Sequence, residues 1–185
     1  MKIAFVNASE RCSNNCEHCY LGERDNPTDL PLYLAETFFK QLAALDQHIV
    51  AIEGDHSHLD EIVDIAVRTG LEVTVSASSD YLEENIEVLA DKIKSLVVSL
   101  DGGNPRIHDR VRGSSGSFDK TIETIKEIQK RGGHVAVLTA LSKRNISDFD
   151  EFSRFLLGLD VDIISFLYTS SFGNARSKDL SIPPS

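Results

Sequence analysis

The chain has 185 residues, 41% of them hydrophobic and 26% charged, with a formal net charge of −10. That is enough apolar material for a full core in one domain, and the acidic balance argues against nucleic acid or an acidic membrane as partner, since both need a cationic surface. No apolar run approaches the roughly 20 residues a bilayer span needs, and the N-terminus reads as having no signal segment, so a cytoplasmic protein is expected.

In chain order, short β-branched runs alternate with stretches of helical spacing. The runs are residues 3–6, 49–52, 73–75, 96–100, 135–138 and 163–167; the helical stretches are 34–45, 59–67, 82–93, 118–130 and 146–157. Gly70, Gly132, Gly133 and Gly158 fall at helix ends, where left-handed caps are expected. Such alternation predicts βαβ units on a parallel sheet: an α/β fold, either a partial (β/α)6 TIM-like barrel or an open doubly wound sheet, with right-handed crossovers. Functional groups in such folds gather in the loops after the strands. Here those loops hold three cysteines, then Glu53-Gly-Asp-His56, Ala77-Ser-Ser-Asp80, Asp101-Gly-Gly103 and the stretch 168–173.

All three cysteines of the chain lie in Cys12-Ser-Asn-Asn-Cys-Glu-His-Cys-Tyr20, directly after the first predicted strand. Three thiolates from one tight loop leave a cubane iron-sulfur cluster with one open iron. The competing reading is a structural zinc site, Cys3His, with His56 or His58 reaching the loop because His18 adjoins Cys19. An odd cysteine count in eight residues argues against disulfides and suits a reducing compartment.

The C-x3-C-x2-C spacing resembles the cluster motif of the radical S-adenosylmethionine (SAM) superfamily, and the likeness extends along nearly the whole chain. The stretch Val98-Ser-Leu-Asp-Gly-Gly-Asn-Pro-Arg-Ile-His-Asp-Arg-Val-Arg-Gly-Ser-Ser-Gly-Ser-Phe118 is similar to the fourth-strand region of members that modify peptides, proteins or small metabolites. The resemblance implies a [4Fe-4S] cluster on Cys12, Cys16 and Cys19. It also implies a SAM site built from His18 beside the adenine, Gly54 and Asp55 at the amino group, Ser99 at the ribose or carboxylate, Arg112 at the carboxylate, and Asp101 at a ribose hydroxyl or bracing its loop. Arginine suits a carboxylate through its planar fork.

Where the family usually reads Gly-Gly-Glu-Pro, this chain has Glu53-Gly-Asp-His56, so Asp55 would replace the glutamate with one methylene less; otherwise it caps the next helix as an exposed turn. Ala77-Ser-Ser79 departs from the usual Thr-Asn-Gly turn. Ser78 suits either a nucleoside contact or a helix N-cap ahead of Glu83 and Glu84, and Ser117 suits an N-cap. His108 and Asp109 read as braces, His56 and His58 as solvated, and Tyr20 as packing against the cysteine loop. Residues 164–175 resemble a sixth strand with its Gly-x-Ala exit, and the tail 181–185, with two prolines, supplies no final helix. No cysteine follows Cys19, so no auxiliary cluster is expected. The resemblance further implies a peptide or small-molecule substrate and an electron donor such as flavodoxin or ferredoxin. Residues 1–185 would be a single core domain, either a minimal one-cluster enzyme or one whose substrate-handling part lies elsewhere.

Overall fold

The computed structural model describes residues 2–22 and 25–182. Six strands, β1 (Ile3–Asn7), β2 (Ile49–Glu53), β3 (Glu72–Ser76), β4 (Ser95–Ser99), β5 (His134–Leu141) and β6 (Ile163–Tyr168), form one sheet in the order of their sequence. Every neighbouring pair is parallel. Helices α1 (Leu32–Ala44), α2 (Leu59–Arg68), α3 (Ser79–Leu89), α4 (Pro105–Arg112), α5 (Ser117–Lys130), α6 (Phe149–Leu157) and the short α7 (Asn174–Lys178) complete the fold. A doubly wound sheet must reverse its strand order at a switch point, and this one never does. With every crossover of one hand, the helices cover one face and the sheet curls into a half-barrel. The partial-barrel expectation holds.

Strand alternation assigns the two faces. Val6, Val50, Ile52, Val73, Val75, Leu96, Val98, Val135 and Val137 point outward and are buried under the helices with Phe39, Leu59, Ile62, Leu82, Ile125 and Leu156. Register then places Asn7, Glu53 and Ser76 side by side on the concave face, at the C-terminal ends of their strands. Ser99 pairs with Leu138, and Ala140 with Leu167, to extend that rim. Beneath it the concave wall is open: Phe5 of β1 is 75% exposed and Ile163 of β6 57% exposed.

Several local expectations need correction. The motif stretch after β4 contains the unpredicted helix α4, which has few apolar residues but full end signals. Asn104 accepts from the Ile107 N–H at 3.2 Å, Pro105 opens the first turn, and Gly113 closes it at φ +63°. Ser117 is not the cap of α5. The Asp109 carboxylate does that work, accepting from the N–H groups of Gly116 and Phe118 at 2.7 and 2.8 Å and from the Ser117 hydroxyl. Helix α3 begins three residues earlier than predicted, with Ser78 as its cap and Asp80, rather than Glu83 or Glu84, as its first-turn acid. Gly70 and Gly132 take positive φ as expected, but Gly133 does not, and Gly158 ends its helix in a right-handed conformation. After β6 the chain turns into α7, and residues 183–185 of the proline-bearing tail lie outside the described residues.

Candidate functional site

The cysteine loop leaves β1 at the mouth of the half-barrel and is held there from four directions. From β2, the Asp55 carboxylate accepts the Ser13 N–H at 3.0 Å, and the Ala8 N–H bonds the Glu53 carbonyl at 2.8 Å. From α4, the Val111 carbonyl accepts the Glu17 N–H at 2.9 Å. From the β5–α6 loop, Arg144 pairs with Glu17 at 2.8 Å. From beyond β6, Asn174 donates its side-chain amide to the Cys16 carbonyl and its backbone N–H to the Cys19 carbonyl, both at 3.0 Å. At three of these supports the facing residue is a glycine. A Cβ on Gly54, Gly113 or Gly173 would collide with the carbonyl of Ser9, Asn15 or Cys19 respectively.

The loop and the strand ends enclose a cavity of 410 Å³. Cys12, Cys16, His18, Cys19, Glu53, Gly54, Asp55, Ser99, Asp101 and Arg112 all line it, so every candidate residue converges on one space. No disulfide joins the cysteines; Cys12 is exposed, Cys19 half-buried and Cys16 buried. Burial pushes the Cys16 thiol up to about 12; the Arg112 charge opposes this, while Asp101, Cys12 and Cys19 add to it. Burial also works against the charge of Arg112, but Cys16, Asp101 and Cys12 outweigh it and hold the guanidinium protonated. Among the described residues the only hydrogen bond of that fork is a long one, 3.5 Å, to Asp101. The rest of it is available to an incoming carboxylate.

Asp101 is 1% exposed and is the hub beneath the arginine. Its Oδ1 accepts from the Ala140 N–H at 2.8 Å, its backbone N–H donates to His108 Nδ1 at 3.1 Å, and its carbonyl accepts from Asn145 at 3.0 Å. His18 Nε2 stands 3.9 Å from Asp101 Oδ2. Burial lowers the His18 pKa, Asp101 opposing and Arg112 adding to the shift. Among the described residues His18 Nδ1 has no hydrogen-bond partner and is shut off from solvent, while the His18 ring lines the cavity. A buried orphan nitrogen is costly unless a ligand completes it.

Three placements differ from the sequence reading. Asp55 is neither an exposed turn nor a free carboxylate: besides Ser13 it accepts the Ser78 N–H at 2.7 Å and the Ser78 hydroxyl at 2.6 Å. His56 is buried rather than solvated, with Nε2 at 2.9 Å from the Leu30 carbonyl and Nδ1 accepting the His58 N–H. Tyr20 lines the cavity but is 66% exposed. Sequence reasoning also passed over Asn7, Ser76, Leu138 and Leu167 on the cavity wall, and the braces Asn145 and Asn174. Strand alternation carried the signal for the wall residues; nothing in the sequence marked the two asparagines.

The donor chemistry suits an iron-sulfur cubane better than zinc. Both nitrogens of His56 are engaged, and His58 is bonded to Glu61 at 2.9 Å. Among the described residues no three His, Cys, Asp or Glu side chains gather around a single-ion point. A cubane takes each thiolate on a different iron and so needs a wider triangle than one ion does. Three thiols from one loop, a cavity beside them, an open guanidinium fork and an imidazole ring in the cavity wall fit the cluster and SAM.

Among known proteins, residues 6–156 match the profile of the Radical SAM superfamily. The chain is 28% identical over 183 residues to the antilisterial bacteriocin subtilosin biosynthesis protein AlbA of Bacillus subtilis, covering 94% of this chain and 40% of that protein. It is 27% identical over 145 residues to an AdoMet-dependent heme synthase of Methanosarcina barkeri, covering 74% and 42%. It thus spans about two fifths of the length of these curated relatives. Among solved structures, Streptococcus suis SuiB bound to S-adenosylmethionine superposes with a TM-score of 0.78 at 18% identity, over 91% of this chain and 40% of that one. The family match covers most of the sequence and the fold agrees with it, so this chain belongs to the radical SAM superfamily.

Proposed function

We propose that this chain binds a [4Fe-4S] cluster through Cys12, Cys16 and Cys19 and holds SAM against it for radical generation. The observation that carries the reading is the convergence of three thiols, the Arg112 fork and the His18 ring on one cavity. When bound, the reduced cluster would supply one electron to the SAM sulfonium, giving a 5′-deoxyadenosyl radical that takes hydrogen from a substrate. The protein's own contribution is binding, orientation and exclusion of water. Arg112 meets the methionyl carboxylate with its fork, and Asp101 keeps that guanidinium in place. His18, whose ring lines the cavity, borders the adenine. Ser99, at the end of β4, offers a hydroxyl to the ribose.

A peptide is the preferred substrate class. AlbA is named for bacteriocin biosynthesis, and SuiB has been solved with its precursor peptide SuiA. The open concave wall below the cavity gives an extended chain room to reach the site. A small metabolite is the second reading, favoured by the likeness to the heme synthase. The reading includes a single core domain, a reducing compartment and a flavodoxin or ferredoxin as electron donor. Among the described residues no helix is long and apolar enough to cross a membrane.

The test is anaerobic reconstitution with iron and sulfide, then electron paramagnetic resonance of the reduced protein with and without SAM. A [4Fe-4S]⁺ signal whose shape changes on adding SAM, and which is lost in Cys16→Ala, is expected. A cluster blind to SAM, or a Cys16→Ala protein that cleaves SAM at the wild-type rate, defeats the proposal.

A further inference from the structure

The carboxylate that the family pattern would send to the amino group of SAM is already committed. Asp55 is buried, and three of its four lone-pair sites are taken by the Ser13 N–H, the Ser78 N–H and the Ser78 hydroxyl. Those bonds tie the cysteine loop, β2 and the β3–α3 turn together, and the Ser13 and Ser78 hydroxyls, 2.8 Å apart, tighten the same knot. Turning Asp55 toward a ligand would strip the Ser13 and Ser78 N–H groups of their acceptor, the latter in a buried place where water cannot replace it.

Two residues earlier stands a carboxylate with no such commitment. Glu53 ends β2, and Ile52 beside it points into the helix layer, so alternation turns the Glu53 side chain to the concave face. It lines the same cavity as the three cysteines. Among the described residues no hydrogen bond or ion pair engages its side chain, and partial burial alone raises its pKa. Its register partners are Asn7 on one side and Ser76 on the other. Both line the cavity and can accept a hydrogen bond. A half-desolvated carboxylate flanked by two neutral acceptors is a receptor for a primary ammonium, which offers three donors.

Building on the SAM reading above, we infer that Glu53, flanked by Asn7 and Ser76, receives the α-ammonium group of SAM, while Asp55 is a positioning residue that latches the cysteine loop. The carboxylate has moved from the third position of the four-residue turn to the first. This accounts for a glutamate where the family pattern has a glycine: the side chain occupies the rim of the cavity instead of leaving it bare.

The experiment measures equilibrium binding of SAM and of its deaminated analogue to cluster-loaded wild type, Glu53→Gln and Asp55→Asn, with iron and sulfide content determined for each. Glu53→Gln is expected to weaken SAM binding about tenfold or more, the range of a charge-assisted hydrogen bond. It should leave the analogue's affinity within about twofold and the iron content at the wild-type level. Asp55→Asn is expected to lower iron content first. If Glu53→Gln binds SAM as wild type does, or weakens SAM and the analogue equally, Glu53 does not hold the ammonium. If Asp55→Asn keeps its iron yet loses SAM selectively, the family assignment stands and the inference is overturned. Loaded wild type that binds no SAM overturns the functional reading itself, an outcome recognisable before any variant is compared.

Discussion

His108 shows how a single residue sets the charge geometry of the site without touching the cavity. Its Nδ1 accepts the Asp101 N–H, so the ring proton sits on Nε2, and the ring packs edge-on against Phe118 at a centroid distance of 5.9 Å. Burial drives its pKa down from 6.5 to about 4, Asp101 opposing, Arg112 adding to the fall, Asp109 opposing and His18 adding. Above pH 6.5 the ring is neutral in both the folded and unfolded states, and stability is complete. As pH falls below 6.5 the unfolded chain takes up a proton that the folded protein refuses until about pH 4, so stability is lost across that window. A shift of this size is worth about 3 kcal/mol. Urea unfolding between pH 7 and pH 4 should show a shallower decline for His108→Asn, whose amide oxygen keeps the acceptor and cannot titrate, than for wild type. Parallel declines in the two proteins would show that His108 does not carry the dependence. His108→Ala, which orphans the Asp101 N–H and opens a cavity, should lose about 3 kcal/mol even at pH 7.

At the scale of elements, the strands were legible because β-branched runs of the right length between helical periods admit one reading, and all six appear within a few residues of expectation. Helix α4 escaped because Ile107 and Val111 are its only apolar residues, too few for a periodic signal, although Asn104-Pro105 and Gly113 mark its ends. The places of the cysteine loop and Asp101 after strands were legible in the sequence, whereas Arg112, at the end of α4, was pointed to only by the family resemblance. The bracing of Asp101 by Asn145 and of the cysteine loop by Asn174 was not legible, because it depends on contacts between residues far apart in sequence. The same support makes a prediction about α4. Gly113 is left-handed and backs onto the Asn15 carbonyl; Gly132 is equally left-handed, with nothing within 4 Å of a Cβ. Alanine at either site costs on the order of 1 kcal/mol in backbone strain. Only Gly113→Ala also displaces the cysteine loop. After reconstitution it should carry less than half the wild-type iron with unchanged far-ultraviolet circular dichroism, whereas Gly132→Ala should load normally. Equal loading of the two variants would show that the loop does not depend on this contact.

Among the described residues the sheet ends in two edge strands, β1 and β6, that no further strand covers, and its concave wall keeps apolar side chains in water. Ile163 is 57% exposed, Leu167 55% and Tyr168 75%, all on the edge strand β6, which adds unpaired backbone groups to an apolar surface. Static light scattering should therefore find self-association rising with concentration, with its onset moved several-fold higher by Ile163→Lys. Because Ile163 is exposed, that change should alter unfolding free energy by no more than about 0.5 kcal/mol. An unmoved onset would place the sticky surface elsewhere. The distribution of loop supports also has a consequence in time. The cysteines are made before their clasp: Asn174, which bonds the Cys16 carbonyl, follows it by 158 positions. At a ribosomal pace of about 5–20 residues per second, roughly 8 to 32 s separate synthesis of Cys16 from synthesis of this clasp. Through that interval the nascent thiols lack a finished seat, so oxidation competes with maturation, and cluster delivery belongs after the sixth strand has docked.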